Sequence, residues 1–363
     1  MSAPLLFSPF ALRGLTVANR IVVSPMCQYS AQDGSATDWH LMHLGQFAVS
    51  GPGLLIAEAT AVSPEGRISP TDLGLYSDAN EAALARVVAF CREHGRAALG
   101  IQLAHAGRKA SSRAPWKGRG PLQGLGPEGE GAWETVGPSA VPFGEDWPAP
   151  RALDRAGMDQ VVRDFVAATR RAQRLGFDLV ELHAAHGYLL HEFLSPLSNR
   201  RTDTFGGSLE NRMRFPLEVF EAVRAAWPAE KPLGVRLSSV DHVPEGWQLE
   251  DSVALTAELK RRGCDYVDAS SGAIAQGIRI ESGPGYQVRY AHELRARTGM
   301  PTCAVGLITD PHQAEQIVRS GQADLVALAR AFLDDPRWAW HAAAALGAEI
   351  DYVPQYARAQ ELR

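Results

Sequence analysis

The chain has 363 residues, of which 45% are hydrophobic and 21% charged, and its formal net charge is −5. This composition is ordinary for a globular protein with a large core and excludes a disordered chain. The negative charge and the absence of Lys/Arg runs argue against a nucleic-acid partner, because counterion release needs clustered positive charge. No apolar stretch reaches the roughly 18 residues that span a bilayer, and no signal peptide is recognisable, so we expect a cytoplasmic protein.

Short β-branched runs alternate with amphipathic stretches from Asn19 onward, which is typical of βα units around a parallel sheet. The predicted strands are Ile21–Ser24, Leu54–Val62, Ala98–His105, Asp178–Ala185, Leu233–Ser239, Tyr266–Ser271, Pro301–Ile308 and Leu325–Ala329. The predicted helices are Asp38–Ser50, Asn80–His94, Met158–Leu175, Phe215–Trp227, Glu250–Arg262, Tyr290–Thr298, Pro311–Ser320 and Pro336–Leu346. Eight such units favour an α/β protein built as a single (β/α)₈ barrel.

Two long excursions interrupt the alternation. The first covers Ser111–Pro150 after the third strand, and the second runs from the fourth strand to Arg214. Excursions of this length inside a compact domain usually form lids or capping subdomains. A doubly wound open sheet is the alternative fold, but it needs a G-x-G-x-x-G turn between an early strand and its helix, which the sequence lacks.

Four cysteines are spread along the chain without the close pairs that bind zinc or iron–sulfur clusters. Cys91, Cys264 and Cys303 lie in apolar helix or strand patterns, so we expect them to fill the core. Cys27 differs because it follows the end of the first strand. In a (β/α)₈ barrel the reactive residues lie at the carboxyl ends of the strands.

Charged and small residues mark three other strand ends. Arg236 interrupts the apolar run of the fifth strand, and a buried guanidinium needs an anionic partner, either a core carboxylate such as Glu58 or an anionic ligand. Gly306 after the seventh strand, with Ala329 and Arg330 after the eighth, stand where many barrels bind a phosphate. Helix capping by Arg330 is the simpler alternative.

The fourth strand ends in two histidines and a tyrosine, His183, His186 and Tyr188. Several hydrogen-bond donors in one small volume can polarise a carbonyl and deliver a proton. Two alternatives remain, core histidines bound to backbone groups or a zinc site with His105 as third ligand. Zinc is disfavoured because the first strand lacks the H-x-H of metal-dependent barrel hydrolases.

Four motifs occur in order along the chain. They are N-R-I-V-V-S-P-M-C-Q-Y at Asn19–Tyr29, I-Q-L-A-H-A-G-R-K at Ile101–Lys109, E-L-H-A-A-H-G-Y-L at Glu181–Leu189 and S-N-R-R-T-D-T-F-G-G-S-L-E-N-R at Ser198–Arg212. Together they resemble the Old Yellow Enzyme family. The M-C-Q-Y element is similar to a bacterial branch that includes YqjM and xenobiotic reductase A.

The resemblance implies one FMN-binding barrel domain over residues 1–363. The residues that it assigns to the cofactor are Ser24, Pro25, Met26, Cys27, Ala59, Gln102, Arg236, Gly306, Ala329 and Arg330. Gln102 can both donate to and accept from the pyrimidine edge, and Arg236 would offset negative charge on the reduced ring.

The resemblance also implies an NAD(P)H dehydrogenase, with NADPH or NADH as reductant. Reduced flavin would transfer hydride to activated C=C bonds, as in enones, quinones, maleimides and nitro compounds. His183 and His186 would bind the substrate oxygen, Tyr188 would protonate the α-carbon, and Tyr29 would add a hydrogen bond. The alternative function is a phosphate-binding barrel lyase or aldolase, which would need a metal or a catalytic lysine, and no lysine lies within a predicted strand.

The C-terminal segment, residues 348–363, follows the last predicted helix. Its Q-Y-x-R pattern within Pro354–Arg358 resembles a tail that, in this branch, crosses a subunit interface. The resemblance implies a homodimer or homotetramer in which Arg358 lines the substrate site of the neighbouring subunit. A frayed, solvated terminus is the ordinary alternative.

Overall fold

The structure is a computed structural model that describes residues 3–124 and 131–362. A closed barrel of eight parallel strands forms its centre, and the strands pair in chain order, the last with the first. These barrel strands are β3 (Ile21–Val23), β4 (Leu54–Ala61), β5 (Ala98–Ala104), β8 (Leu179–Ala184), β9 (Leu233–Ser238), β10 (Tyr266–Ser270), β11 (Thr302–Ala304) and β12 (Leu325–Leu328). The predicted (β/α)₈ barrel is confirmed, and the open sheet is excluded by the pairing of β12 with β3.

Eight helices follow the barrel strands. They are α1 (Asp38–Ala48), α2 (Asp78–His94), α3 (Arg155–Arg174), α5 (Leu209–Ala226), α6 (Leu249–Arg261), α7 (Val288–Thr298), α8 (Pro311–Arg319) and α10 (Trp338–Leu346). Two short helices that the sequence did not predict lie at the strand ends, α4 (Leu189–Leu194) and α9 (Arg330–Asp334). None of the helices in the described part of the chain is long and apolar enough to cross a membrane.

Small sheets outside the barrel determine which end is open. The hairpin of β1 (Phe10–Leu12) and β2 (Leu15–Val17) packs Leu12 and Val17 against the barrel interior at the amino-terminal ends of the strands. Strand β6 (Val136–Gly137), within the first excursion, pairs with β7 (Arg151–Ala152), which directly follows it. Residues 125–130 of that excursion lie outside the described residues. The interior is therefore closed by apolar side chains at one end, which leaves the carboxyl ends of the strands as the mouth.

The second excursion is shorter than predicted, because α5 begins at Leu209 rather than at Phe215. Ser208 caps the helix by accepting a hydrogen bond from Asn211 N–H, and the helix continues through Pro216. A proline inside a helix removes one backbone donor and is normally a stop signal, which explains the wrong boundary. As predicted, Cys91, Cys264 and Cys303 are buried, whereas Cys27 is only partly buried.

Candidate active site at the barrel mouth

The lower level of the mouth is a buried hydrogen-bonded chain of three side chains on β5, β8 and β10. Gln102 Nε2 donates to Glu181 Oε1 at 2.7 Å, and Tyr266 Oη donates to Glu181 Oε2 at 2.7 Å. Gly234 stands between Glu181 and Tyr266 in the strand register, and a Cβ there would lie 2.0 Å from the Tyr266 ring. The tyrosine therefore reaches Glu181 across a position that has no side chain. Burial, with Asp268 nearby, raises the pKa of Glu181 to about 7.

The upper level holds the arginine that the sequence placed in the barrel. Arg236 on β9 pairs in register with His183 on β8 and with Asp268 on β10. Its Nη1 donates to Ser24 Oγ at 2.8 Å and lies 3.3 Å from Asp268 Oδ2. The partner on the protein is therefore Asp268, which interrupts its apolar strand as Arg236 does.

Glu58, the carboxylate considered as the partner of Arg236, was the wrong choice. Its Oε2 accepts a hydrogen bond from Gln28 N–H at 2.9 Å, and its Oε1 lies 3.4 Å from His40 Nε2. A bulge in β4 at Glu58 shifts the register, so that Ala59 takes the next paired position of the strand. The alternation that would have placed Glu58 inside the barrel is broken there.

The two residues that follow Ala185 have left-handed backbone conformations. His186 has φ +58° and Gly187 has φ +74°. A left-handed conformation is unfavourable for a residue with a side chain and is common at functional sites. A Cβ at Gly187 would lie 2.3 Å from Ala273 O, so only glycine fits.

The main-chain N–H groups of Ala185, His186 and Gly187 all donate to side chains, which holds this turn in place. Their acceptors are, in order, His183 Nδ1 at 3.2 Å, Ser238 Oγ at 2.9 Å and His191 Nδ1 at 2.9 Å. The turn therefore depends on side chains from β8, β9 and α4. Two of them are histidine rings whose protonation the turn also fixes.

Two residues that the sequence did not single out support the turn from behind. Lys109 Nζ donates to His186 O at 2.6 Å and to Ala273 O at 3.2 Å, which ties the turn to the loop after β10. Burial lowers the pKa of Lys109 to about 8. His191 Nε2 lies 3.0 Å from Asp241 Oδ1, and both side chains are fully buried. Lys109 belongs to the I-Q-L-A-H-A-G-R-K motif, which was the signal for it.

The tautomers of the two site histidines follow from their contacts. Because His183 Nδ1 accepts from Ala185 N–H, its hydrogen is on Nε2, which faces His186 Nδ1 at 3.3 Å. His186 Nδ1 is then the acceptor, so its hydrogen is on Nε2, 2.6 Å from Ser270 Oγ. Burial lowers the pKa of both imidazoles well below the usual value, and nearby positive groups including Arg236 add to the effect. Both rings are neutral at pH 7 and carry one N–H each.

Tyr188 follows the turn and faces the first-strand residues. Its ring lies edge-on to His183, with ring centroids 4.8 Å apart. Burial raises the pKa of the Tyr188 phenol well above its usual value, and the neighbouring Cys27 and Tyr29 act in the same direction. Burial likewise raises the pKa of Cys27, so the thiol is uncharged. Tyr29 contacts the exposed Trp116 of the first excursion edge-on at 5.4 Å.

The seventh and eighth strand ends lie side by side at the other edge of the mouth. Gly306 has φ +123° and its carbonyl accepts from Gly285 N–H at 2.8 Å. Arg330 is exposed and is the first residue of α9, directly after Ala329. Ser24 N–H donates to Leu328 O at 3.0 Å, which joins this edge to the first strand.

His105 does not join the histidine pair. Its Nδ1 accepts a hydrogen bond from Gly107 N–H at 3.1 Å, and burial lowers its pKa to about 4. Within residues 3–124 and 131–362 there is no cluster of three or more His, Cys, Asp or Glu side chains with metal-binding geometry. The third zinc ligand considered for this site is therefore directed elsewhere.

Arg358 lies away from the mouth of its own barrel. It is exposed in the 3₁₀ helix Pro354–Leu362. In the same helix, Tyr356 packs edge-on against Trp340 of α10 at 6.0 Å, and Gln360 lines a cavity with Pro52 at the amino-terminal ends of the strands. The structure brings the other predicted site residues together at the mouth but not Arg358.

The sequence model of the NADH:flavin oxidoreductase / NADH oxidase family matches residues 5–349 of the chain. The chain belongs to this family. It is 47% identical over 355 residues to an NADPH dehydrogenase of Geobacillus thermodenitrificans, with 97% of this chain and 98% of the relative covered. An NADPH dehydrogenase of Bacillus cytotoxicus is 44% identical over 356 residues, covering 98% and 96%. Morphinone reductase in complex with tetrahydroNAD is similar in structure, with TM-score 0.78 and 29% identity over 96% of this chain and 92% of that chain.

The resemblance to the Old Yellow Enzymes is thereby confirmed. The protein is an NAD(P)H-dependent flavin oxidoreductase whose cofactor is FMN. Membership in this family argues against the alternative function, a lyase or aldolase without redox chemistry. Lys109, which supports the turn at the mouth, binds two main-chain carbonyls.

The residues at the mouth fit an FMN. Arg236 Nε is buried and has no hydrogen-bond partner among the described residues, so one donor of a buried cation is left for a ligand. Gln102 uses one N–H on Glu181 and keeps its second N–H and its carbonyl oxygen. An isoalloxazine edge that both donates and accepts matches this donor set.

We predict that Gly187→Ala destabilises the protein more than Gly176→Ala does. Both positions have left-handed backbone, with φ +74° and +84°, and alanine there costs about 1–2 kcal/mol. At Gly176 a Cβ meets nothing within 4 Å, whereas at Gly187 it would overlap Ala273 O at 2.3 Å. We therefore expect a further loss of about 1–3 kcal/mol at Gly187 in denaturant unfolding. Equal losses would show that the close approach to Ala273 imposes no constraint.

Proposed function

We propose that the enzyme reduces activated C=C bonds, as in enones, quinones, maleimides and nitro-substituted alkenes. The observation that carries this proposal is the placement of two neutral imidazole donors and a protonated phenol on one turn, His183, His186 and Tyr188. Reduction of an activated alkene needs hydrogen bonds that polarise the activating oxygen and an acid that delivers a proton to the α-carbon. These three side chains can supply both.

We assign the FMN to the residues that line the two edges of the mouth. They are Ser24, Pro25, Met26, Cys27, Ala59, Gln102, Arg236, Gly306, Ala329 and Arg330. The ion pair of Arg236 with Asp268 and the hydrogen bond of Gln102 to Glu181 support the assignment, because both hold a donor in place at the pyrimidine side. Gly306 and Arg330 support a phosphate at the opposite edge. Bound FMN supplies the two-electron reduction, with NADPH or NADH as its reductant.

The histidine pair would hold the substrate oxygen. His183 Nε2–H is free to leave His186 Nδ1 and donate to a carbonyl or nitro oxygen. Since both rings are neutral, they withdraw electron density through hydrogen bonds without binding a carboxylate as an imidazolium would. Tyr29, beside Tyr188, adds a phenol within the same volume.

Tyr188 would protonate the α-carbon. Its raised pKa keeps the proton on Oη at neutral pH, so the phenol is present as an acid when the alkene accepts electrons. The edge-on contact with His183 fixes the ring beside the oxygen site. Solvent can also supply the proton to the α-carbon, in a slower reaction.

The tail supports an assembly in which subunits share a site. Tyr356 and Arg337 form a cation–π contact with the cation 5.0 Å from the ring centroid, next to an exposed Met42 on α1. Tyr and Arg are favoured interface residues. We infer a homodimer or homotetramer in which the tail of residues 348–363 lies at the interface and Arg358 serves the neighbouring subunit.

Replacing His183 and His186 together with alanine should weaken binding of 4-hydroxybenzaldehyde about a hundredfold. Two hydrogen bonds of about 1–1.5 kcal/mol each are lost. In stopped-flow measurements, oxidation of the reduced enzyme by 2-cyclohexenone should slow far more than reduction by NADPH. His43→Ala is the control, because it removes another buried histidine, packed on Phe47, that lies on α1. Equal losses in both half-reactions would assign the pair to the fold instead.

Tyr188→Phe should slow alkene reduction by about 10²–10³-fold while sparing reduction of the flavin by NADPH, because it removes only the acid. Tyr29→Phe is the matched control and should change KM for 2-cyclohexenone with little change in kcat. Single-turnover rates separate the two steps. An unchanged rate of alkene reduction in Tyr188→Phe would assign the proton to another donor.

A chain ending at Val353 should lose both assembly and substrate affinity. Arg358→Ala in the full-length chain should keep the molecular mass in light scattering and raise KM for 2-cyclohexenone, because only the cation is removed. A truncated protein with unchanged mass and unchanged kinetic constants would rule out the shared site.

A further inference from the structure

Because the His186 ring is neutral, only one of its two nitrogens can donate a hydrogen bond. A neutral imidazole has one N–H, and in the structure that hydrogen is on Nε2, directed at Ser270 Oγ 2.6 Å away. Its other nitrogen, Nδ1, faces His183 Nε2 at 3.3 Å. Two imidazoles that both donate to one substrate oxygen must both carry hydrogen on these facing nitrogens. His186 in its present tautomer cannot do so.

Ser270 is built to accept either tautomer. A hydroxyl can accept a hydrogen bond or rotate and donate one. Ser270 is 3% exposed at the end of β10 and pairs in register with Ser238, whose Oγ accepts from His186 N–H. The two serines therefore hold the ring and the main chain of the same histidine.

Gln287 fixes the position of the Ser270 hydroxyl without using its hydrogen. Gln287 Nε2 donates to Ser270 Oγ at 3.2 Å and to Ser271 Oγ at 2.8 Å. Because the amide donates to both serines, Ser270 Oγ acts as acceptor toward Gln287 and its own O–H is left for another partner. His186 Nε2 at 2.6 Å is within reach of that O–H.

We propose that Ser270 is a positioning residue that lets His186 change tautomer when a substrate oxygen enters the site. In the free enzyme His186 Nε2–H donates to Ser270 Oγ. In the complex His186 carries its hydrogen on Nδ1, donates to the substrate oxygen together with His183 Nε2–H, and accepts the Ser270 O–H at Nε2. The ring loses one proton and gains another through solvent, which reaches the partly exposed His186, so its charge does not change. This inference rests on the proposed role of the histidine pair.

The direct test is ¹⁵N NMR of the FMN-loaded enzyme labelled at the histidine ring nitrogens, with and without 4-hydroxybenzaldehyde. The His186 signals are identified by their loss in His186→Ala. We expect the Nε2–H tautomer in the free enzyme and the Nδ1–H tautomer in the complex. The same tautomer in both states would overturn the proposal, and this measurement needs no variant of Ser270.

Two adjacent serines provide a matched pair of variants. Ser270→Ala removes the partner of His186 Nε2 both with and without ligand, so the Kd for 4-hydroxybenzaldehyde should change little, whereas the tautomer change seen by ¹⁵N NMR should be abolished because alanine can neither accept nor donate. Ser271→Ala removes a hydroxyl that also binds Gln287 but that forms no hydrogen bond with His186 among the described residues, and should leave the tautomer change intact. A tautomer change that persists in Ser270→Ala would overturn the role of Ser270. If the His183/His186 double variant also binds the ligand normally, the proposed function fails as well.

Discussion

The hydrogen bond from Ala185 N–H to His183 Nδ1 connects the fold of this enzyme to its chemistry. It is one of three bonds that hold a turn with two left-handed residues, and it fixes the nitrogen on which His183 carries its hydrogen. A left-handed non-glycine residue costs about 1–2 kcal/mol, and each bond contributes about 1 kcal/mol in return. The strain at His186 is therefore offset by contacts that also orient the rings. A change that relaxed the turn would remove the hydrogen bond that fixes the tautomer of His183.

Beneath this turn the barrel interior contains one guanidinium and two carboxyl groups. Arg236 is paired with Asp268, and Glu181 is bound by two neutral donors, Gln102 and Tyr266. A buried ion pair contributes little net stability, because desolvation opposes the Coulomb attraction. Burial raises the pKa of Glu181 and of Asp268. Both carboxyl groups are therefore easier to protonate than an exposed carboxylate. Such an arrangement therefore contributes little to the stability of the fold.

The fold was predictable from the sequence because apolar runs and amphipathic stretches alternate with a regular period. The same alternation gave the position of Arg236 correctly and the position of Glu58 incorrectly, since a one-residue bulge in β4 reverses which side chains face inward. Nothing local in a sequence marks such a bulge. The start of α5 was missed for a related reason, because capping by Ser208 outweighed the stop signal of Pro216.

The site was predictable only in part. His183, His186 and Tyr188 follow one another on a strand end, so a motif identifies them. Ser238 and Ser270 act on the same histidine from two other strands, and serine at a strand end is too common to be a signal. Lys109 lies in a motif, but its bonds to two main-chain carbonyls could not be read from that motif, and no residue pattern marks Asp241, which acts through His191. Contacts between distant strands decide these roles.

Burial gives His183, His186 and Tyr188, the proposed donors and acid, one common property, which is that none of them is charged at neutral pH. It lowers the pKa of His183 and His186 and raises the pKa of Tyr188. A pair of imidazolium rings would attract carboxylates, whereas neutral rings favour carbonyl and nitro oxygens, which accept hydrogen bonds without a full charge. A phenol with a raised pKa gives up its proton only to a strong base, such as a carbon that has just received an electron pair. Under the proposed function, the absence of charge would restrict the site to substrates that become basic during the reaction itself.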